Sequence, residues 1–294
     1  MSGMHPIDPS NPTSHSYFSQ RLRLHYLDWG NAGAQNLLLI HGMRDHCHTW
    51  DWVAQRLKDR YHVVAPDLRG HGDSQWAVGS GYSHIDYVYD IGQLVRQQRL
   101  APVTIIAHSM GGTLACLFAG LYPQSVRKMI IIEGVGHWWR FFERPPAPER
   151  LRSWIDATRD QAARMPRRYT TLEDAFQRMQ QTNPHLSPEQ ARHLTVHGSC
   201  QNEDGTYTWK FDNYTHAHSP YDITAEDTEA LWREIECPTL FVNAKQGYPH
   251  RIGQDDTLEH FRHAAVVDLD DAGHWAHHDQ LDAFMGEAER FLAN

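Results

Sequence analysis

Short apolar runs recur along the chain, and the stretches between them carry helical spacing. Residues 21–27 (Arg-Leu-Arg-Leu-His-Tyr-Leu) alternate polar and apolar positions, as a half-buried strand does. Short, mostly apolar runs follow at 37–40, 61–65, 103–107 and 129–132, and much later at 239–242 and 265–269. Runs this short, rich in Val and Ile, predict strands buried on both faces rather than helices. Helical patterns at 52–58 and 113–121 fall between them. Strands alternating with helices predict an α/β domain with a mostly parallel sheet and helices on both faces.

The alternation stops once. Between the run ending at Ile132 and the one starting at Thr239 the pattern is mostly helical. Capping logic marks three helix starts there: Thr171 with Asp174, Ser187-Pro188 with Gln190, and Thr224 with Asp227. Tyr207, Trp209 and Phe211 alternate with polar residues, as in a short strand or extended edge, and Pro145, Pro146 and Pro148 punctuate the entry. The division expected is a loose Pro-, Ser- and Asn-rich arm over 1–15, a core over 16–135 and 237–294, and an inserted helical lid over 136–236.

Composition narrows the function classes. An apolar share of 40% suffices for a packed core and argues against disorder. A formal net charge of −9 argues against a nucleic-acid partner. No apolar run approaches the ~18 residues of a membrane span, so no stable membrane insertion is expected. The first residues, Met-Ser-Gly-Met-His-Pro, lack a basic segment followed by an apolar one. Cys47, Cys116, Cys200 and Cys237 contain no C-x-x-C and read as reduced, buried thiols. A cytoplasmic protein, monomer or homodimer, is expected.

The chemistry concentrates in 105–113, Ile-Ile-Ala-His-Ser-Met-Gly-Gly-Thr. Ser109 lies between a buried strand and a helix, with Ala107 two residues before it and Gly111 two after. A nucleophile elbow needs small residues there, because the turn is sharp and the backbones approach closely. The pattern is G-x-S-x-G with Ala in the first position. His41-Gly42 follows the run at 37–40, and Asp67-Leu68-Arg69-Gly70-His71-Gly72-Asp73-Ser74 follows the next. Gly273-His274-Trp275 follows the last.

In that order these motifs resemble the α/β-hydrolase superfamily from about residue 21 to the C-terminus, the lid apart. The resemblance implies that Ser109 is the nucleophile and His274 its general base. It implies that the N–H groups of Met43 and Met110 form the oxyanion hole. Similar dehalogenases and epoxide hydrolases place Asp at the elbow to form an alkyl-enzyme ester, so Ser109 argues against both activities. The acid departs from the usual pattern. Most of the superfamily carries it after the seventh strand, where this chain reads Pro238-Thr-Leu-Phe-Val-Asn-Ala-Lys-Gln-Gly247. Some members place it at the end of the sixth strand, which here is Glu133. Glu133 is the expected acid, hydrogen-bonded to Nδ1 of His274; Asp255, Asp256, Asp270 and Asp271 are the alternatives.

The remaining expectations concern the pocket and its contents. His41, His108, Trp138, Trp139 and Trp275 are expected around the substrate, with His108 packed behind the serine and the aromatics at 138–142 at the base of the lid. His41, Asp45, His46 and His48 cluster, as do His216 with His218 and His274 with His277 and His278. Neither H-E-x-x-H nor paired cysteines accompany them, so no metal is expected, and no cofactor. The favoured activity is hydrolysis of small or medium carboxylic esters, lactones or thioesters through an acyl-enzyme on Ser109. Alternatives are carbon–carbon bond hydrolysis of ring-cleavage products and non-catalytic ligand binding on the same fold.

Overall fold

The computed structural model describes residues 11–79, 81–135, 145–217 and 219–294. Its strands in chain order are β1 (Thr13–Ser19), β2 (Leu22–Asp28), β3 (Gln35–Ile40), β4 (Tyr61–Pro66), β5 (Val103–His108) and β6 (Val126–Ile132), then β7 (Ser199–Gln201), β8 (Tyr207–Trp209), β9 (Thr239–Ala244) and β10 (Ala264–Leu269). Eight form one sheet in the order β1-β2-β4-β3-β5-β6-β9-β10, and β7 pairs with β8 in a separate hairpin. The pairs β1–β2 and β2–β4 are antiparallel and all other neighbours in the sheet are parallel.

Period-two alternation explains why the central strands are apolar throughout. Leu38, Ile40, Ile105, Ala107, Met129, Ile131 and Phe241 pack on one face. Leu37, Leu39, Ile106, Ile130, Ile132, Leu240 and Val242 pack on the other. The first face is covered by α2 (His84–Gln97), α3 (Met110–Leu121) and α7 (Ala225–Arg233). The second lies under α1 (Asp51–Leu57) and α9 (Leu281–Ala293). This is the α/β-hydrolase architecture expected from the motifs.

The arm needs a correction. β1 begins at Thr13 and pairs with β2 from Thr13↔Asp28 to Ser19↔Leu22, so residues 13–15 belong to the sheet. Their exposed, polar side chains hid the strand, because an edge strand needs apolar residues on at most one face.

Between β6 and β9 lie α4 (Ala147–Ala162), α5 (Leu172–Thr182), α6 (Pro188–Gly198), the β7–β8 hairpin and α7. Capping boxes form at Thr171–Asp174 and Ser187–Gln190, and Thr224 accepts the Asp227 N–H. Such caps stabilise a helix by about 1 kcal/mol each, which matters for α5 and α6 because their core is small: Phe176, Leu186, Ala191 and Leu194. This inserted segment is fastened to the rest of the fold by side chains. Tyr82 Oη donates to Asp212 (2.6 Å), Gln190 to the His278 carbonyl (2.9 Å), and His46 Nε2 lies 3.0 Å from the Leu194 carbonyl. Among the described residues no helix is long and apolar enough to cross a membrane.

Candidate active site

The site lies at the carboxyl ends of β5, β6 and β9, where parallel strands of an open α/β sheet present their ligands. Ser109 sits between β5 and α3 with φ +52°, a left-handed conformation unfavourable for a residue with a Cβ. The surrounding contacts over-determine it: the Ser109 N–H donates to the Ile132 carbonyl (2.8 Å), and its own carbonyl accepts from Gly112 (2.8 Å). Gly111 cannot be larger, since a Cβ there would stand 2.5 Å from the carbonyl oxygens of Ile40 and His41. The strain aims Oγ out of the sheet, and α3 points its N-terminus at it.

His274 comes from the loop between β10 and the short α8 (Ala276–Asp279), which is tied by a 2.8 Å bond from the Gly273 N–H to Asp279. Its Nε2 lies 2.9 Å from Ser109 Oγ. Glu133 follows β6 directly with φ +49°, a second left-handed residue beside the first. Its side chain is 1% exposed against 30% for His274, and Oε2 lies 3.5 Å from His274 Nδ1.

That distance corrects one expectation. At 3.5 Å the two groups are in contact but not hydrogen-bonded, and among the described residues Nδ1 has no hydrogen-bond partner. The reason is competition for the carboxylate. Oε1 accepts the Ala244 N–H at 2.7 Å, and Oε2 accepts the Tyr248 N–H at 3.0 Å. The other carboxylates are engaged elsewhere: Asp255 caps a short 3-10 turn at Thr257, Asp270 pairs with Lys245 (2.6 Å), and Asp271 lies 3.4 Å from the Gln246 amide.

Gly247 makes room for this arrangement. A Cβ on Gly247 would collide with Oε2 of Glu133. A carboxylate side chain after β9 and the Glu133 carboxylate therefore compete for one volume.

Two cavities meet at Ser109. The first, about 380 Å³, is lined by core residues only among the described residues, including Met43, Met110, Thr113, Val135, Tyr248 and Pro249. The second, about 610 Å³, runs along the segment between β6 and β9, past Tyr169, Met179, Trp209 and Phe211, to His274 and Trp275. The segment between β6 and β9 thus walls one side of the serine and the rest of the fold the other. Met43 and Met110 both border Ser109, and as the first residue of α3, Met110 has no helical acceptor for its N–H.

The expected pocket residues divide. Trp275 and His108 line the larger cavity. Burial and the neighbouring His274 hold His108 well below the usual imidazole range, and its Nε2 lies 2.8 Å from the His274 carbonyl. It is a neutral support behind the loop. His41 lines neither cavity, which corrects the expectation. Fully buried, it donates from Nδ1 to the Gly42 carbonyl (2.7 Å) and accepts the Leu68 N–H at Nε2 (3.0 Å). Burial pushes its pKa down to about 3, so it stays neutral and joins two loops. Trp138 and Trp139 lie outside the described residues.

Two groups of residues escaped the sequence reading. Tyr248 borders both cavities, and its ring centroid lies 4.3 Å from that of His274. Burial and the Glu133 charge raise its phenol pKa. The only signal for it was its place after Gly247. The second group is cationic. Arg44, Arg167 and Arg178 line the larger cavity, and among the described residues none of the three guanidinium groups pairs with a carboxylate. Arg44 lies over Phe211 and Arg167 over Tyr169, at 5.5 and 5.2 Å from the ring centroids. Burial lowers the Arg44 pKa, the mark of a cation without a compensating charge. Among the described residues, the side-chain groups able to hold a metal are His48, Asp51, His193 and His197, and His25, Cys47 and Asp67. Neither contains Ser109 or His274. The second is already satisfied, with Asp67 accepting from His25 (2.7 Å), the Cys47 N–H (2.7 Å) and the Asp73 N–H (2.9 Å).

Residues 35–281 match the family model described as alpha/beta hydrolase fold. The 3-hydroxybutyrate-oligomer hydrolase of Cupriavidus necator is 29% identical over 268 residues, covering 86% of this chain and 87% of that protein. Epoxide hydrolase 3 of Mus musculus is 22% identical over 292 residues, covering 91% and 74%. Among solved structures, E-2-(acetamidomethylene)succinate hydrolase superposes with TM-score 0.78 at 19% identity, covering 96% of this chain and all of that one. A thioesterase domain from the curacin biosynthetic pathway gives 0.81 at 23% identity, covering 93% and 97%.

Proposed function

The chain belongs to the α/β-hydrolase fold family, and from that premise we propose that it is a serine hydrolase cleaving carboxylic esters through an acyl-enzyme on Ser109. The observation that carries the proposal is the 2.9 Å contact between Ser109 Oγ and His274 Nε2 on a strained elbow.

In this mechanism His274 takes the Ser109 proton as Oγ attacks the ester carbonyl. The tetrahedral oxyanion is met by the Met43 and Met110 N–H groups, each worth about 3–4 kcal/mol in such a hole. His274 returns the proton to the departing alkoxide, then activates the water that releases the acid. The Glu133 carboxylate, 3.5 Å from Nδ1, stabilises the imidazolium that forms. Serine at the elbow separates this chain from epoxide hydrolysis, which needs a carboxylate there to form an alkyl ester. Gly247 in place of an acid separates it from the carbon–carbon hydrolases that keep one.

The larger cavity supports a substrate class. On a protein of net charge −9, three arginines that pair with no carboxylate among the described residues, beside the nucleophile, favour an ester whose one side carries a carboxylate. The opposite side enters the more apolar core cavity. A hydroxyacid oligomer combines an ester with a terminal carboxylate, and the Cupriavidus relative is named for such a substrate.

The experiment is hydrolysis of a 3-hydroxybutyrate dimer beside its methyl ester and simple aryl esters. The expected result is turnover of all three classes, with kcat/KM for the free acid at least about tenfold higher. Arg178→Gln combined with Arg167→Gln should abolish that preference by raising KM while kcat holds. Absence of any ester turnover would leave a ligand-binding protein. A further expectation concerns Gly247→Ala: the new methyl displaces the Glu133 carboxylate and should lower kcat by about tenfold to a hundredfold. Unchanged kcat in that variant would remove Glu133 from the mechanism.

A further inference from the structure

Away from Ser109, four side chains from the core and the lid converge. The 3-10 turn at Cys47–Trp50 and the start of α1 bring His48 and Asp51 together at i,i+3. From the lid, α6 presents His193 and His197 at i,i+4, one turn apart on a single face. One ligand-capable atom from each lies within 4.8 Å of all the others.

Asp51 stands at the centre. Its Oδ2 lies 2.9 Å from His48 Nδ1 and 3.0 Å from His193 Nε2. Its Oδ1 is buried without a hydrogen-bond partner. His197 stacks on His48 at 3.7 Å between ring centroids and lies 4.5 Å from His193. Trp52 packs edge-on against His193 at 4.6 Å, forming an apolar wall. All four residues are half-buried, so solutes reach them. A carboxylate with an idle, desolvated oxygen is costly to bury. Three imidazoles and one carboxylate are also the donor set that borderline divalent metals select.

We propose that His48, Asp51, His193 and His197 form a divalent transition-metal site, with zinc the best fit, that staples lid helix α6 to α1. Binding draws the donors from within 4.8 Å to the roughly 3.4 Å edges of a tetrahedron around the ion. It turns the His48 and His197 rings out of their stack. The ring nitrogens of His48 and His193 that now face Asp51 become lone-pair donors, each N–H residing on the other ring nitrogen, since a metal takes the neutral imidazole. Four protein donors close the coordination sphere, so the ion is structural and takes no part at Ser109. This site stands whether or not the reading of Ser109 as a nucleophile holds.

The test uses the full chain stripped with a chelator. Titration with Co²⁺ should produce the visible absorption of a tetrahedral ion, and Zn²⁺ should displace it at one equivalent per chain. Saturating Zn²⁺ should raise the melting temperature by at least about 4 °C. His197→Gln, which removes a ring making no hydrogen bond to Asp51, should keep the metal-free melting temperature and weaken Zn²⁺ binding at least about tenfold. His193→Gln and Asp51→Asn should do the same to binding. The proposal is overturned if no tetrahedral Co²⁺ spectrum appears, or if the three variants bind Zn²⁺ as the parent does. The first result would leave a metal-free histidine–carboxylate cluster, and the second would place the ion on other histidines.

Discussion

Ser109→Ala should lower ester turnover by roughly four orders of magnitude or more, with no change in melting temperature beyond a degree or two. The expected effect is large because, in the proposed mechanism, the variant removes the atom to be acylated, and His274 has nothing left to deprotonate except water. Residual hydrolysis reflects only binding and the oxyanion donors. The fold should survive, since the strained φ of +52° is imposed by the backbone around Ser109 and not by its hydroxyl. Steady-state kinetics on an aryl ester, with thermal melts of both proteins, decide it. Activity within a few fold of the parent would dismiss Ser109 as nucleophile.

Glu133→Gln should cut kcat at least about a hundredfold while leaving KM within a few fold. The carboxylate has a 1% exposed side chain and faces Nδ1 of His274 at 3.5 Å, so its charge acts through little water. An amide keeps the shape but not the charge. It also has one acceptor oxygen for the Ala244 and Tyr248 N–H groups that now take one each. The imidazolium formed during attack then loses its counter-charge. Asp255→Asn and Asp256→Asn should stay near the parent rate. The reverse pattern would place the acid beyond β9 after all. A pH–rate profile for Glu133→Gln adds a readout that a merely structural role would not move.

The parts of this molecule that were legible from sequence obey local rules. Runs such as 37–40 and 103–107 read as doubly buried strands because their neighbours divide between the two faces of the sheet. The elbow read clearly because steric demand at Gly111 and the strand–turn–helix order are both local. Glu133 was expected from the resemblance, because some members of the superfamily carry the acid at the end of the sixth strand and Gly247 stands at the usual position. The physical link between them, one volume contested by two side chains, appears only in three dimensions.

What stayed hidden depends on distant segments. His41 was misplaced because a histidine after a strand reads equally as a pocket wall or a buried joint, and only the Leu68 N–H decides. The arginines of the larger cavity come from three separate segments, the loop after β3 (Arg44), the loop before α5 (Arg167) and α5 itself (Arg178), and no local pattern links them. The His48–Asp51 pair and the His193–His197 pair each have helical spacing, but their meeting depends on how α6 docks. β1 was missed at Thr13 because its polar face is exposed.

The central claim is that Ser109 becomes covalently acylated. Intact-protein mass spectrometry after treatment with a fluorophosphonate, followed by peptide mapping, tests it most directly. The predicted result is one adduct per chain, located on Ser109, formed in step with loss of esterase activity and absent from Ser109→Ala. An adduct at another residue, or ester turnover that continues with Ser109 fully labelled, would contradict it.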